Sequence, residues 1–175
     1  MQVTDNFKIQ EFVPRDIWKL HEAGKVDARW YINQKVPECC QFIKDSFFEK
    51  LKSKYPGLKA VVVECNTWHY KKNGFQRRGY RSWKWVAEMK AKGKRVAQYG
   101  MHMLGLAADV EVYLVYEDGH RHELDSDIVR KMILADSKNF MALGLTTLES
   151  GKYAKGWTHL DCRPSRLDHI KVVGI

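Results

Sequence analysis

Apolar positions along the chain fall into two periods. Within residues 37–54, Phe42, Ile43, Phe47 and Leu51 recur at helical spacing after Pro37, and Tyr55-Pro56-Gly57 ends the run. Residues 60–64, Ala-Val-Val-Val-Glu, read as a buried strand, followed by an irregular polar and aromatic stretch to Ser82. Residues 83–92 suit a short amphipathic helix. Residues 106–116 predict a long strand that ends at the turn Glu117-Asp118-Gly119-His120. Asp125 or Ser126 can cap a helix running to about Ser137, with Ile128, Met132, Ile133 and Ala135 inward. Residues 143–149 and 157–163 flank a glycine-containing loop, as in a long hairpin, and residues 7–12 form a short ordered opening segment. Strands and helices in mixed order predict an α+β fold, a largely antiparallel central sheet with flanking helices. No internal repeat or low-complexity linker divides the chain, so residues 1–175 are expected to form one domain.

Composition narrows the class. A length of 175 residues with 45% hydrophobic and 12% aromatic content supports a packed core and excludes a disordered tail. No apolar run approaches the roughly 18 residues of a membrane span. The opening Met-Gln-Val-Thr-Asp-Asn-Phe-Lys lacks a basic region followed by an apolar one. The expectation is therefore synthesis in the cytoplasm without a signal peptide. Cys39, Cys40, Cys65 and Cys162 show no CxxC spacing, which predicts reduced thiols and argues against a cysteine zinc finger. Strand alternation turns Cys162 away from His159 and Asp161, toward the core. A net charge of +9 implies an anionic partner or a surface that tolerates anions. The basic residues (Lys71, Lys72, Arg77, Arg78, Arg81 and the 90–95 cluster) are dispersed and carry no nucleic-acid-binding motif, so nucleic acid is not the expected partner.

Two segments carry candidate chemistry. The first is His102-x-x-Gly-x-Ala-x-Asp109 and the second Trp157-x-His159-x-Asp161. Two imidazoles and a carboxylate can hold a catalytic zinc and leave a fourth position open. Ala107, Asp109 and Glu111 share one strand face, with Asp109 beginning its exposed phase, while Leu106, Ala108, Val110 and Val112 point the other way. Gly105 lets the chain turn between His102 and this strand. Spacing alone leaves open that the three are unrelated polar residues.

Arg78-Gly-Tyr-Arg-Ser82 precedes these segments, and the three motifs stand in the order found in zinc D-Ala-D-Ala carboxypeptidases and phage L-alanyl-D-glutamate endopeptidases. Phe7-x-x-x-Glu11-Phe12 also resembles the opening of the carboxypeptidase-like branch, so the likeness extends from Phe7 to about Arg163. The resemblance implies the α+β fold shared with hedgehog signalling domains and one zinc ion held by His102, Asp109 and His159. It implies a monomeric zinc peptidase of phage or prophage origin. Such an enzyme would cleave the peptide stems of bacterial peptidoglycan, as a D,D-carboxypeptidase or an endopeptidase, after release to the cell wall. Arg81 matches the family arginine that steadies an oxyanion or clamps a carboxylate; the alternative is an ion pair that holds the fold.

The general base is less determined. Many relatives carry Glu three residues before the last histidine, where this chain has Gly156. Asp161 is the first choice, with support of a ligand as its alternative role. Glu149, expected near Trp157 across the hairpin, is the second, with a solvated position beside a turn as its alternative, and Tyr153 is a weaker proton donor. Gly100 stands where relatives usually have Ser, which bears on substrate choice. Trp68, His69, Trp83 and Trp85 could line a cleft for sugar or peptide, with ordinary aromatic packing the stronger alternative for any one of them, whereas Tyr80 and Ser82 read as packing and turn residues. His21, His69, His120, His122 and His169 read as surface positions. The two departures at 100 and 156 favour a rival reading, a non-catalytic zinc-stabilised wall-binding or virion structural module.

Overall fold

The computed structural model describes residues 1–65, 70–71, 74–75, 78–94, 96 and 100–174. An opening 3-10 turn, Ile9–Glu11, precedes α1 (Arg15–Glu22), a second 3-10 turn (Ala28–Tyr31), α2 (Lys35–Leu51) and β1 (Leu58–Glu64). A short ribbon of β2 (Tyr70–Lys71) and β3 (Gly74–Phe75) leads to α3 (Trp83–Ala91) and a third 3-10 turn, Met101–Leu104. Then come β4 (Ala107–Tyr116), β5 (Arg121–Leu124), α4 (Ser126–Ala135), α5 (Ser137–Ala142), β6 (Thr147–Glu149), β7 (Thr158–Asp161) and β8 (Lys171–Val173). The main sheet runs β1-β4-β7-β6-β8, and β5 also pairs with β4. Every pairing in it is antiparallel except β6 with β8. The fold is α+β with a mostly antiparallel mixed sheet, as the sequence pattern predicts.

One face of the sheet is apolar and closed by α2. Ala108, Val110, Val112 and Leu114 of β4 join Ile43, Phe47 and Leu51 of α2 in the core, with Phe7, Ile9 and Phe12 of the opening segment. Burying a side chain the size of Phe47 contributes roughly 2–3 kcal/mol, so this helix is held by packing more than by propensity. It starts at Lys35, before the expected boundary, and Pro37 sits in the first turn, where its missing N–H costs nothing.

Several expectations need correction. Asp125 caps α4, accepting from Asp127 N at 2.7 Å, but the helix ends at Ala135 and α5 follows as a separate element. Its inner face is Val129, Arg130 and Ile133, whereas Ile128 and Ala135 are exposed. The buried arginine explains the shift, because a charge on the inward stripe masks the apolar period. The sequence reading includes neither the α1 helix, whose eight residues bury only Ile17, nor the three-residue parallel strand β8, because both are too short and too polar to stand out as apolar runs.

Candidate metal centre

The site grows on the other face of β4. Asp109 pairs directly with His159 of β7, so both side chains leave the sheet on the same side. The sequence places Asp109 on an exposed face, yet Asp109 and Glu111 are only 8% and 6% exposed. The segment 78–82 covers them. Arg78 O accepts from Asp109 N at 2.7 Å, and the Arg78 guanidinium pairs with Glu111, which also accepts from Tyr113 Oη at 2.9 Å. Gly79 is needed here, because a Cβ would lie 2.0 Å from Phe12 O. Tyr80 packs edge-on against Tyr31, and Ser82 caps α3 by accepting from Trp85 N at 3.3 Å, the packing and turn roles expected of them.

The same segment orients the first histidine. His102 Nδ1 donates to Gly79 O at 2.8 Å, which leaves Nε2 as the free lone pair. Gly105, at φ +67°, reverses the chain between His102 and β4; a Cβ there would meet Tyr31 O at 2.5 Å. His102 Nε2 then lies 3.2 Å from Asp109 Oδ1 and 3.2 Å from His159 Nδ1, and the last two atoms are 2.8 Å apart. A tetrahedral ion with bonds of about 2.0–2.1 Å needs ligand atoms about 3.3 Å apart. The triangle therefore has the dimensions of one face of such a site. All three residues are buried, and together they could hold a metal ion.

Electrostatics agree with the geometry. Burial keeps His102 neutral by pushing its pKa down, although Asp109 pulls the other way. Burial alone would raise the pKa of Asp109, but the two histidines and Arg81 hold it well below the usual carboxylate range. Burial also disfavours charge on His159, yet Asp109 and Asp161 outweigh it and raise its pKa to about 9. An ionised carboxylate thus faces two ring nitrogens, and the proton that the raised pKa keeps on His159 is the one a bound cation would displace.

The trio opens into a cleft of about 290 Å³ lined by Arg81, Trp85, Gly100, Glu149, Trp157 and Arg163, among others. Arg81 Nη2 donates to Asp109 Oδ2 at 2.5 Å, and its guanidinium lies 5.8 Å from the Trp85 ring centre. Glu149 reaches the cleft through strand register. Thr147 pairs with Asp161 and Leu148 with Leu160, so the next step sets Glu149 across from His159, not Trp157. Glu149, His159 and Asp109 thus form one row over three neighbouring strands.

Asp161 is placed differently. It is fully buried, its Oδ1 accepts from Arg163 N at 2.9 Å, and its Oδ2 accepts from Arg163 Nε at 2.8 Å. His159 Nε2, the nitrogen away from the trio, lies 3.8 Å from Oδ2. Burial would raise the pKa of Asp161, but His159 and Arg163 keep it low. Asp161 therefore supports His159 from behind. Sequence reasoning missed two residues here. Arg163 could have been found by continuing the alternation 159, 161, 163. Arg130, buried on α4, donates to Trp157 O at 2.9 Å and fixes the approach to β7; no sequence signal marks it.

Other candidates fall away from the centre. Tyr153 is 62% exposed and contacts the chain near Gly174, and Trp83 is exposed outside the cleft. Trp68 and His69 lie outside the described residues. Gly156, at φ +82°, has open space where a side chain would project. His120, His122 and His169 are exposed, whereas His21 is half-buried, its Nδ1 3.2 Å from Val26 O. The four cysteines are free and buried, with Cys162 Sγ 4.0 Å from Cys39 Sγ in the core. No helix among the described residues is long and apolar enough to cross a membrane. Comparisons with family models, with curated proteins and with solved structures give no match.

Proposed function

We propose that the chain is a zinc-dependent peptidase acting on the peptide stems of bacterial peptidoglycan. The observation that carries this reading is the buried triangle of His102 Nε2, Asp109 Oδ1 and His159 Nδ1 at the floor of a cleft that also presents Arg81 and Glu149. Two imidazoles and one carboxylate with an open side are the ligand set of a hydrolytic zinc. The motif order Arg78–Ser82, His102–Asp109, Trp157–Asp161 supports the same family, and the +9 charge suits an anionic wall.

Zinc, when bound, supplies a Lewis acid that activates water and polarises the scissile carbonyl. The protein residues supply the rest. Glu149, in the cleft and in the row of the ligands, takes the proton from water on its carboxylate and returns it to the leaving amine. Asp161 has no route to that proton, because it is fully buried and its oxygens are held by Arg163. Arg81, steadied by Asp109, is placed to stabilise negative charge on the carbonyl oxygen. His102 and His159 keep their ligand nitrogens aimed by Gly79 O and Asp161 respectively.

The test is release of new amino groups from purified peptidoglycan, with and without chelator. The expected result is release that chelation and His159→Ala both abolish. Wall binding that persists without release, in zinc-loaded protein, would instead favour the non-catalytic module. Elemental analysis of the same sample separates zinc from iron, which a two-histidine, one-carboxylate set can also hold.

A further inference from the structure

We propose that Arg163 is the substrate-selecting residue of this cleft. It binds a free α-carboxylate on the residue that supplies the leaving amine. This deepens the peptidase reading and rests on it.

Arg163 lines the cleft, yet its side-chain hydrogen bonds among the described residues all go to Asp161. A guanidinium has five N–H donors, and Asp161 engages it through Nε and Nη2. The remaining donors belong to a side chain that is 42% exposed. A fully buried carboxylate thus holds the inner edge of a cation whose outer part reaches the cleft. Such a fork is pre-organised, so little rotamer entropy is lost when it takes a second carboxylate in bidentate fashion.

Arg81 is less free for that task. Its Nη2 is bound to Asp109 Oδ2, the free oxygen of a ligand residue, and it rests over Trp85. That position suits the carbonyl being attacked. Charge balance points the same way. With both imidazoles neutral as ligands, Arg81 and Arg163 face Asp109, Glu149 and Asp161, and a divalent cation brings the sum from −1 to +1. The loaded cleft therefore attracts an anionic group, while Glu149 repels one that is not held by a cation. Both stem bonds in question have the required chemistry: a terminal D-alanine carries an α-carboxylate, and so does D-glutamate linked through its side chain.

The experiment uses zinc-loaded protein and two probe pairs. One is N-acetyl-D-alanyl-D-alanine and its C-terminal amide. The other is N-acetyl-L-alanyl-D-glutamate blocked at the side-chain carboxyl, as α-acid and α-amide. Calorimetry gives affinity, and amine release gives kcat and KM. For at least one pair, the acid is expected to bind about tenfold or more better than the amide, the scale of charge-assisted hydrogen bonds. Arg163→Gln is expected to bring that ratio near one, mainly through KM, with partial recovery in Arg163→Lys. Because Arg163→Gln takes the cation from a buried Asp161, leaving it the backbone N–H of residue 163 and His159, the double variant Asp161→Asn/Arg163→Gln provides a second test if the single one misfolds. No acid preference in the wild type, or a preference that survives loss of Arg163, overturns the proposal and assigns any carboxylate to the metal or Arg81. Acid preference lost with Arg163, but without cleavage of either pair, keeps the carboxylate site and removes the peptidase reading. Which pair responds identifies the stem bond.

Discussion

Replacing Asp161 by Asn separates the two roles this residue could play. The substitution keeps shape and removes charge. One amide oxygen can accept from Arg163, but the NH2 group must then face the other Arg163 donor at a site where Oδ1 and Oδ2 both accept now. Breaking a fully buried ion pair costs about 3–5 kcal/mol. Arg163 is 42% exposed and can return to water, so about 1.5–3 kcal/mol is the appropriate scale here. For a domain of this size that is a fall in Tm of roughly 4–10 °C. His159 also loses the carboxylate 3.8 Å from its Nε2, which weakens zinc binding by about tenfold to a hundredfold. At saturating zinc, kcat is expected to stay within about tenfold of the wild type. The assays are competition with a chromogenic chelator and amine release at fixed free zinc. Unchanged zinc affinity with kcat reduced by about a hundredfold or more would refute the supporting role and make Asp161 the base.

Further predictions address the cleft and its scaffold. Glu149→Gln is expected to retain zinc and lose kcat by about a hundredfold to ten-thousandfold; near-normal turnover would remove Glu149 from the mechanism. Gly105→Ala combines a φ of +67° with a Cβ 2.5 Å from Tyr31 O, so urea unfolding should show a loss greater than about 2 kcal/mol. In chelator-treated protein, the pKa of His159 is raised from 6.5 to about 9, so its contribution to stability is full below pH 6.5 and lost as pH rises through about 9. Tm should fall across that window without zinc and not through this group when zinc has replaced its proton. Equal pH dependence with and without zinc would contradict this.

The ligand trio was legible because each member sits in a short motif whose geometry is local. Gly105 turns the chain after His102, and strand alternation places Asp109 and His159 on single faces. The α2 helix and β4 were legible for a related reason, since their apolar periods are long. What failed depended on contacts between distant segments. The cover that residues 78–82 lay over Asp109 turned an expected exposed face into a buried one. Strand register decided which carboxylate enters the cleft, and a two-residue difference in pairing brought Glu149 opposite His159. Arg130 and Arg163 act through backbone carbonyls or a buried partner, which no residue pattern announces. The inward arginine also displaced the expected face of α4.

The most direct test of the central claim is zinc stoichiometry in the purified chain, measured by elemental analysis beside Asp109→Ala. The expected result is one zinc per wild-type chain, removed by chelator and restored on re-addition, and none held tightly by the variant. A wild-type chain that neither carries zinc nor takes it up, or an Asp109→Ala variant that holds zinc as well as the wild type, would contradict the metal centre.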